Sequence, residues 1–197
     1  ENGVDAFFSG CLTLTFPNRE KVPENGKIFL VDTHPIVHKL LPKEIKDKIV
    51  EINHMNDKAS KGAERFALAQ GLLDLYKNEG AVVMTSRIHC AMPCIAMGIP
   101  VIFFRKSKSY RTQVIEYIGK ETYPLWIKGF HLLRKWFPFM REKFWVKVEH
   151  RLVIFKYKYL QKIDWNPEPI SVDKFKKSLK EQLEEKLEKA KANYPNH

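Results

Sequence analysis

A strand, a turn, a helix, a glycine and a second strand follow one another within residues 81–104, and this order constrains the fold most strongly. The run Ala81-Val82-Val83-Met84 is typical of a strand that is buried on both faces. Residues 88–97 have helical spacing, Gly98 ends the helix, and residues 100–104 form a second apolar run. Two strands joined by a helical crossover are parallel. We therefore predict an α/β fold, with a Rossmann-like parallel sheet flanked by helices.

The same patterns predict further elements before this unit. Apolar or β-branched runs predict short strands at 4–8 and 11–16 and a buried strand at 27–32. Residues 42–52 have helical spacing, with 50–54 alternatively extended, and 63–78 form a clear amphipathic helix.

After residue 104 the pattern becomes mainly helical. A helix is expected at 110–118, and two more are expected on either side of Pro138. Residues 151–162 fit a strand or a helix, and Ser171 is expected to cap a last amphipathic helix. We divide the chain into an α/β domain (1–118), a helical extension (119–163) and a linker with a C-terminal helix (164–197). The two helices around Pro138 share one apolar stripe, which comprises Trp126, Phe130, Leu133, Phe137, Met140, Phe144 and Val148.

Charge is distributed unevenly along the 197 residues. The net charge is +11, and residues 101–163 contain 15 basic and 4 acidic side chains, whereas 1–100 and 164–197 are each balanced. The same middle segment contains 15 of the 24 aromatic residues. A partner attracted by charge would therefore meet this segment.

Two interpretations of the basic aromatic segment stay open, and a third is not expected. Its apolar stripe packs as core on the α/β domain or on another subunit, as in a homo-oligomer, with lysines on the wet face. Alternatively, residues 119–163 contact an anionic membrane surface through Trp126, Phe130, Phe137 and Phe144. A groove for single-stranded nucleic acid is not expected, because no nucleic-acid signature is present.

Cysteine content and hydropathy limit the class of protein. Cys11, Cys90 and Cys94 cannot all pair, so we expect a reducing compartment and no disulfide framework. No pair of Cys or His residues has a second pair at zinc-site spacing, so no metal is expected. The longest uncharged stretch, 88–104, is too short for a membrane span. Because the first residue is Glu1, we expect the chain to be part of a longer protein.

The residues that are best suited to bind a ligand or to catalyse a reaction follow the 81–84 run, in a polar turn and the start of the next helix. Ser86, Arg87 and His89 stand at the carboxyl end of a strand and the start of a helix, a position that favours an anionic ligand. Arg87 offers forked donors to a phosphate or carboxylate, and His89 can exchange a proton near neutral pH. The pattern indicates proton transfer on an anionic substrate. The alternative is structural: an arginine paired with a neighbouring carboxylate and a histidine in the core.

Residues 82–104, VVMTSRIHCAMPCIAMGIPVIFF, resemble the signature region of the polysaccharide pyruvyl transferase family, which carries a buried strand, T-S-R-L-H-A, an apolar helix and G-x-P-V-I. Glu64-Arg65-Phe66-Ala67 and the opening FFSGCLTLTFP are also similar to members. The resemblance covers residues 1–118. It implies a GT-B-like fold of two Rossmann-type domains, of which this chain would be the C-terminal one and inactive alone.

The resemblance also implies an activity: transfer of a pyruvyl group from phosphoenolpyruvate to two hydroxyls of a saccharide acceptor, as a ketal, in surface polysaccharide biosynthesis. Arg87 and His89 match the family's arginine and histidine at the phosphoenolpyruvate site. Arg87 would hold the phosphate or carboxylate, and His89 would exchange protons with the enol carbon or the attacking hydroxyl. Ser86 and Ile88 belong to the same motif and are expected to contact substrate. No cofactor is expected besides the donor substrate.

Three more residues are expected to bind substrate. Asp32 follows the 27–31 run, His54 follows the 50–52 run and is placed near the acceptor sugar, and Arg111 follows the 100–104 run. The structural alternative for Asp32 is a helix cap, and the alternative for Arg111 is a solvated arginine. The alternative functions are a GT-B glycosyltransferase that uses a sugar nucleotide, and a non-enzymatic adaptor at a membrane surface. We expect a cytoplasmic protein, peripheral at the inner membrane if its acceptor is lipid-linked.

Overall fold

The computed structural model describes residues 11–54, 62–106, 114–115, 118–137 and 139–193. The strands are β1 (Lys27–Val31), β2 (Ile49–Ile52), β3 (Gly80–Thr85), β4 (Val101–Arg105) and β5 (Thr122–Pro124). Their sheet is entirely parallel, with the strand order β2-β1-β3-β4-β5, so β2 lies on one side of β1 and the later strands lie on the other. The predicted α/β fold, a Rossmann-like parallel sheet flanked by helices, is confirmed.

Helices cover both faces of the sheet and continue into the C-terminal region. A 3-10 turn at Leu12–Thr15 precedes the sheet, and a π-helical turn at Lys156–Leu160 extends the longest helix of the middle segment. The α-helices of the described residues are α1 (Val37–Leu40), α2 (Lys43–Lys46), α3 (Ala63–Glu79), α4 (Ile88–Ala96), α5 (Phe130–Trp136), α6 (Glu142–Phe155) and α7 (Asp173–Asn193).

Two apolar clusters form the core, one on each face of the sheet. Alternate residues of each strand belong to opposite clusters, as the pleat requires. Phe29 and Val83 pack in the cluster covered by α3 and α4, to which Val172 adds one side chain from just before α7. Leu30 and Met84 pack in the cluster covered by α1, α6 and the π-helical turn. Burial on both faces explains why these strands read as continuous apolar runs.

Several local predictions are corrected by the structure. The 11–16 run forms a 3-10 turn instead of a strand, because the Leu14 amide bonds back to the Cys11 carbonyl and Leu14 packs into the α4 side of the core. Residues 42–52 divide into α2 and β2. The strand expected at 4–8, and most of the helix expected at 110–118, lie outside the described residues.

The middle segment contains a strand as well as helices. β5 lies within 119–163, where it pairs with β4, and α5 and α6 follow it with the expected break between Trp136 and Glu142. The ambiguous residues 151–162 continue α6 to Phe155 and then form the π-helical turn. Among the described residues, none of the helices combines the length and the apolar character needed to cross a bilayer.

Candidate active site

The carboxyl ends of β1, β2 and β3 lie level at one edge of the sheet. Val31 pairs with both Ile52 and Thr85, so the residues that follow these strands emerge side by side. The strand order reverses between β1 and β3, because the chain builds outward from β1 in both directions. Such a switch point leaves a crevice between oppositely directed connections, and ligands of open α/β sheets bind there.

Asp32 and Arg87 meet across this switch point. The Arg87 Nε atom lies 2.7 Å from the Asp32 Oδ2 atom, and the carboxylate is 8% exposed while the arginine side chain is 39% exposed. Asp32 has a φ of 46°, a left-handed conformation that aspartate tolerates better than most residues. Because the ion pair uses Nε, the Nη atoms of Arg87 keep four N–H donors of the guanidinium fork.

The turn between β3 and α4 fixes the backbone of Arg87. Thr85 is fully buried, and its hydroxyl accepts a hydrogen bond from the Arg87 amide at 3.0 Å. Arg87 is the N-cap residue of α4, with extended dihedral angles and a carbonyl that accepts from Cys90 and Ala91. Arg87 therefore stands at the positive end of the α4 dipole, and the dipole and the guanidinium both favour an anion.

His54 joins Asp32 to a buried tyrosine of α3. The His54 amide lies 3.3 Å from both carboxylate oxygens of Asp32, and its Nδ1 atom lies 3.6 Å from Oδ2. Its Nε2 atom lies 2.6 Å from the Tyr76 hydroxyl. The Asp32 carboxylate therefore contacts Arg87, in the turn after β3, and His54, in the chain after β2. These contacts link the carboxyl ends of three strands.

The protonation states of this network follow from burial. Burial lowers the pKa of His54; Asp32 opposes this effect and Arg87 adds to it. Burial, with smaller contributions from Cys90, Cys94 and Asp32, raises the pKa of Tyr76, which stays a hydroxyl. A neutral His54 then accepts from the Tyr76 hydroxyl at Nε2 and carries its proton on Nδ1, facing Asp32. This arrangement makes His54 and Tyr76 supports for the carboxylate.

Lys106 reaches the same loop from the far side of β3. It follows β4, and its ammonium donates to the Asp32 carbonyl at 2.8 Å. Partial burial lowers the pKa of Lys106; Asp32 opposes this effect and Arg87 adds to it. Arg87 and Lys106 together give the crevice more positive than negative charge, since Asp32 offsets only one of the two.

A cavity of about 310 Å³ lies beside Lys106, at the carboxyl ends of β4 and β5. Trp126 forms part of its wall and is stacked by the Arg105 guanidinium at 5.3 Å from the ring centroid. Four titratable residues of the wall are basic, namely Lys106, Lys128, His131 and Arg134, and one is acidic, Glu149. Its lining favours an anion with a flat or apolar portion.

A second cavity, of about 270 Å³, lies on the other side of Asp32, between β1 and β2. Thr33, His38, Glu51 and Asn53 line it together with Asp32. His38 and Glu51 approach each other to 3.8 Å across it. This wall offers hydroxyl, amide and carboxylate groups, which suit the hydroxyls of a neutral polar molecule.

The other residues expected from the motif have varied positions. His89 is exposed in the first turn of α4, and Ile88 is half-buried against the apolar core. Ser86 is half-buried, and its Oγ atom is buried with no hydrogen-bond partner among the described residues. Arg111 lies outside the described residues. Asp32, His54 and Arg87 are therefore in one cluster, with Ser86 and His89 on the adjoining turn and helix.

Sequence reasoning missed two members of the cluster. Tyr76 lies within the amphipathic helix predicted at 63–78, and the basic residue expected to bind substrate after the 100–104 run is Arg111, not Lys106. A signal for Tyr76 does exist, since a buried tyrosine hydroxyl requires a polar partner. No comparable signal identifies Lys106, because its contact with Asp32 depends on the order of the strands.

The described residues contain no group of three His, Cys, Asp or Glu residues placed to hold a metal ion.

Comparisons with family models, curated proteins and solved structures each return no match. The chemistry of the site has to be inferred from its own residues.

Proposed function

We propose that the crevice between β1 and β3 binds phosphoenolpyruvate, and that the chain is the donor-binding lobe of an enzyme similar to polysaccharide pyruvyl transferases. Such an enzyme transfers the pyruvyl group to two hydroxyls of a saccharide. The observation that carries the proposal is the position of Arg87, which lies at the switch point and at the start of α4 with its Nε atom held by Asp32.

An oriented arginine suits a substrate with a phosphate and a carboxylate. The Asp32 contact fixes the plane of the Arg87 guanidinium, so its Nη donors can form paired hydrogen bonds with an oxyanion without losing much side-chain entropy. Lys106 and the α4 dipole add positive charge near the same position. The buried Ser86 hydroxyl supplies a further polar group on the adjoining turn.

Ketal formation requires proton transfers, and the two histidines near the crevice have different roles in them. Two acceptor hydroxyls lose protons as their oxygens bond to the enol carbon: one proton converts the methylene to a methyl group, and the other leaves with inorganic phosphate, whose C–O bond breaks. His89 is exposed at the first turn of α4 and is the group we assign to proton exchange. His54 is assigned to positioning, because its ring nitrogens already face Tyr76 and Asp32.

Calorimetric titration of the chain with phosphoenolpyruvate tests the proposal. Arg87→Ala should weaken binding by about tenfold or more, since a charge-assisted hydrogen bond contributes about 1.5–3 kcal/mol. Arg87→Lys should recover only part of the affinity, because an ammonium cannot form the paired contact. Arg65→Ala, which removes an exposed arginine of α3, is the matched control and should leave the affinity unchanged. Equal affinity of the Arg87→Ala and parent proteins would refute the donor site.

Titration with a nucleoside diphosphate distinguishes this proposal from the glycosyltransferase alternative. A site for a sugar nucleotide would saturate with a nucleoside diphosphate and would show little response to phosphoenolpyruvate. The donor-binding lobe should respond in the opposite way. Saturable binding of the nucleoside diphosphate, lost in Arg87→Ala, would replace pyruvyl transfer by glycosyl transfer at the same crevice.

A further inference from the structure

The connection between α5 and α6 presents three aromatic side chains to solvent. Trp136 and Phe139 are each 79% exposed and Phe137 is 45% exposed. We call these three residues the aromatic tip. Isolated exposed apolar residues are common, but three large rings within four positions at the end of a helical hairpin form a patch that needs an explanation.

The hairpin beneath the tip is packed, so the exposure of the rings is a stable feature of its shape. Phe130 of α5 and Trp145 of α6 are buried and meet edge to face, with ring centroids 5.6 Å apart. Arg134 and Glu142 form an ion pair at 2.8 Å across the two helices. These contacts fix α5 against α6 and leave the connection between them at the outer end.

Exposed basic side chains flank the aromatic tip in the sequence. Lys135, Arg141 and Lys143 are exposed within a few residues of the rings, and we call them the basic collar. Residues 126–147 contain six basic and one acidic side chain, which gives a net charge of +5 with histidine neutral. The one acid is Glu142, and it is already paired with Arg134. The surface around the tip is therefore cationic.

We propose that the aromatic tip and basic collar bind the surface of a bilayer that contains anionic lipids. Tryptophan and phenylalanine rings partition into the interfacial layer, and lysines near the surface each add about 1 kcal/mol of attraction to anionic headgroups. Binding is peripheral: the rings enter the headgroup region while the collar stays among the phosphates. This surface is independent of the phosphoenolpyruvate site.

Charge argues against a second copy of the chain as the occupant of the aromatic tip, and shape argues against nucleic acid. A symmetric dimer through this face would bring two surfaces of charge +5 together, which is unfavourable without counterions. Nucleic acid is held in grooves that combine backbone contacts with stacking platforms. The aromatic tip lies instead at the outer end of a hairpin, where rings reach an extended surface more readily than they enclose a strand.

The aromatic tip and the cavity beside Lys106 lie at opposite ends of α5. Phe130 and His131, in the first turn of α5, line that cavity, and Trp136 is the last residue of the same helix. Seven helical residues span about 10 Å. Docking through the tip would therefore hold the cavity within about one helix length of the headgroups, in reach of a saccharide that is anchored in the membrane.

Vesicle partitioning of the 197-residue chain tests the proposal. Vesicles of phosphatidylcholine with about 30 mol% phosphatidylglycerol should bind the chain, and raising the salt concentration should weaken binding. Pure phosphatidylcholine should bind it more weakly. Replacing the collar by Lys135→Gln, Arg141→Gln and Lys143→Gln should lower the partition coefficient by about a hundredfold at low salt. Trp136→Ser with Phe139→Ser should lower it by about tenfold or more.

Matched variants separate the tip from a general effect of charge or hydrophobicity. Lys43→Gln, Lys46→Gln and Lys48→Gln remove the same charge from the α1/α2 side, and Phe66→Ser removes a ring that is 74% exposed on α3. Neither control should change partitioning. Quenching of tryptophan fluorescence by lipids brominated near the headgroups should occur in the parent and largely disappear in Trp136→Phe.

Four results would overturn the proposal. The first is failure of the folded parent chain to bind anionic vesicles. The second is equal loss of binding in the tip variants and their controls. The third is quenching that persists in Trp136→Phe. The fourth is a concentration-dependent dimer that the tip variants abolish, because the tip would then contact protein. Circular dichroism of each variant excludes unfolding as the cause.

Discussion

Arg87 and Asp32 form an ion pair that joins the turn after β3 to the residue after β1, with 2.7 Å between the Arg87 Nε and Asp32 Oδ2 atoms. The pair lies where the strand order reverses, so it connects the two halves of the sheet at their carboxyl ends. The same carboxylate receives the His54 amide. Asp32 is therefore a structural link as well as an anchor for the arginine that we assign to the donor substrate.

Asp32→Asn should lower the free energy of unfolding by about 1–2 kcal/mol. The amide keeps the shape but removes the charge opposite Arg87 and weakens the acceptor for the His54 amide. Arg87 is partly exposed, so solvent screening limits the loss. Urea denaturation measures the change, and Asp74→Asn, at an exposed position of α3, is the control and should have little effect. Equal stability of both variants would show that the ion pair contributes nothing.

The core of the sheet could be predicted from the sequence, but the contacts at its edge could not. A strand buried on both faces is an apolar run, and α4 shows its helical period between two such runs, so β1, β3, α4 and β4 were evident. The pattern shows that each strand is buried, but it does not show which strands lie next to it in the sheet. The pairing of Asp32 with Arg87, 55 positions apart, depends on that strand order.

The helical hairpin shows a second limit of periodicity. A single apolar stripe was extended from Trp126 to Val148, yet Phe137 and Phe144 on that stripe are exposed and Trp145, next to it, is buried. The chain leaves helical geometry between α5 and α6, which resets the helical phase. Positions counted across such a break do not share a face. Trp136 and Phe139 lie outside the predicted stripe, and both are exposed.

The stability of the protein should decrease as the pH falls below about 6.5, partly because of His54. Burial lowers the pKa of His54 below its ordinary value of 6.5, so the folded state binds fewer protons than the unfolded state in this range. His34, whose pKa is lowered by burial and by His150 and Lys106, acts in the same direction. In His54→Gln the loss of stability between about pH 7.5 and pH 5 should become smaller.

Denaturant titrations at the two pH values measure this difference. His131→Gln replaces an exposed histidine of α5 and is the control. It should retain the pH dependence of the parent chain. A steeper acid destabilisation in His54→Gln than in the parent would contradict the assignment of a neutral, buried His54.

Tyr76→Phe should raise the pKa of His54 and lower the free energy of unfolding by about 1 kcal/mol. The tyrosine hydroxyl lies 2.6 Å from the His54 Nε2 atom, and a donor at that nitrogen stabilises the neutral ring. Titration of the histidine resonances by NMR measures the pKa. Tyr157→Phe removes a hydroxyl that donates to the Pro124 carbonyl at 2.8 Å and should cost similar stability without moving the His54 pKa. A His54 pKa that is unchanged in Tyr76→Phe would place the ring proton elsewhere.

Only the first half of α7 should contribute to folding. Leu179 is 5% exposed, whereas Leu187 on the same helix is 58% exposed. Leu179→Ala should lower the free energy of unfolding by about 2–3 kcal/mol, because it removes buried apolar volume. Leu187→Ala should cost less than about 0.5 kcal/mol. Thermal unfolding followed by circular dichroism compares the two, and similar losses would indicate that the outer half of α7 is also packed.

Lys106→Gln should weaken the binding of phosphoenolpyruvate by about threefold to tenfold at low salt. Its ammonium donates to the Asp32 carbonyl and also lines the cavity beside Trp126, so it adds positive charge on the side of the crevice away from His54. The difference between Lys106→Gln and the parent should shrink as salt increases, because screening removes the long-range part of the attraction. Lys39→Gln, at an exposed position of α1, is the matched control. If the affinity of Lys106→Gln equals that of the parent at every salt concentration, Lys106 only supports the Asp32 loop, and Arg87 alone supplies the charge that attracts the donor.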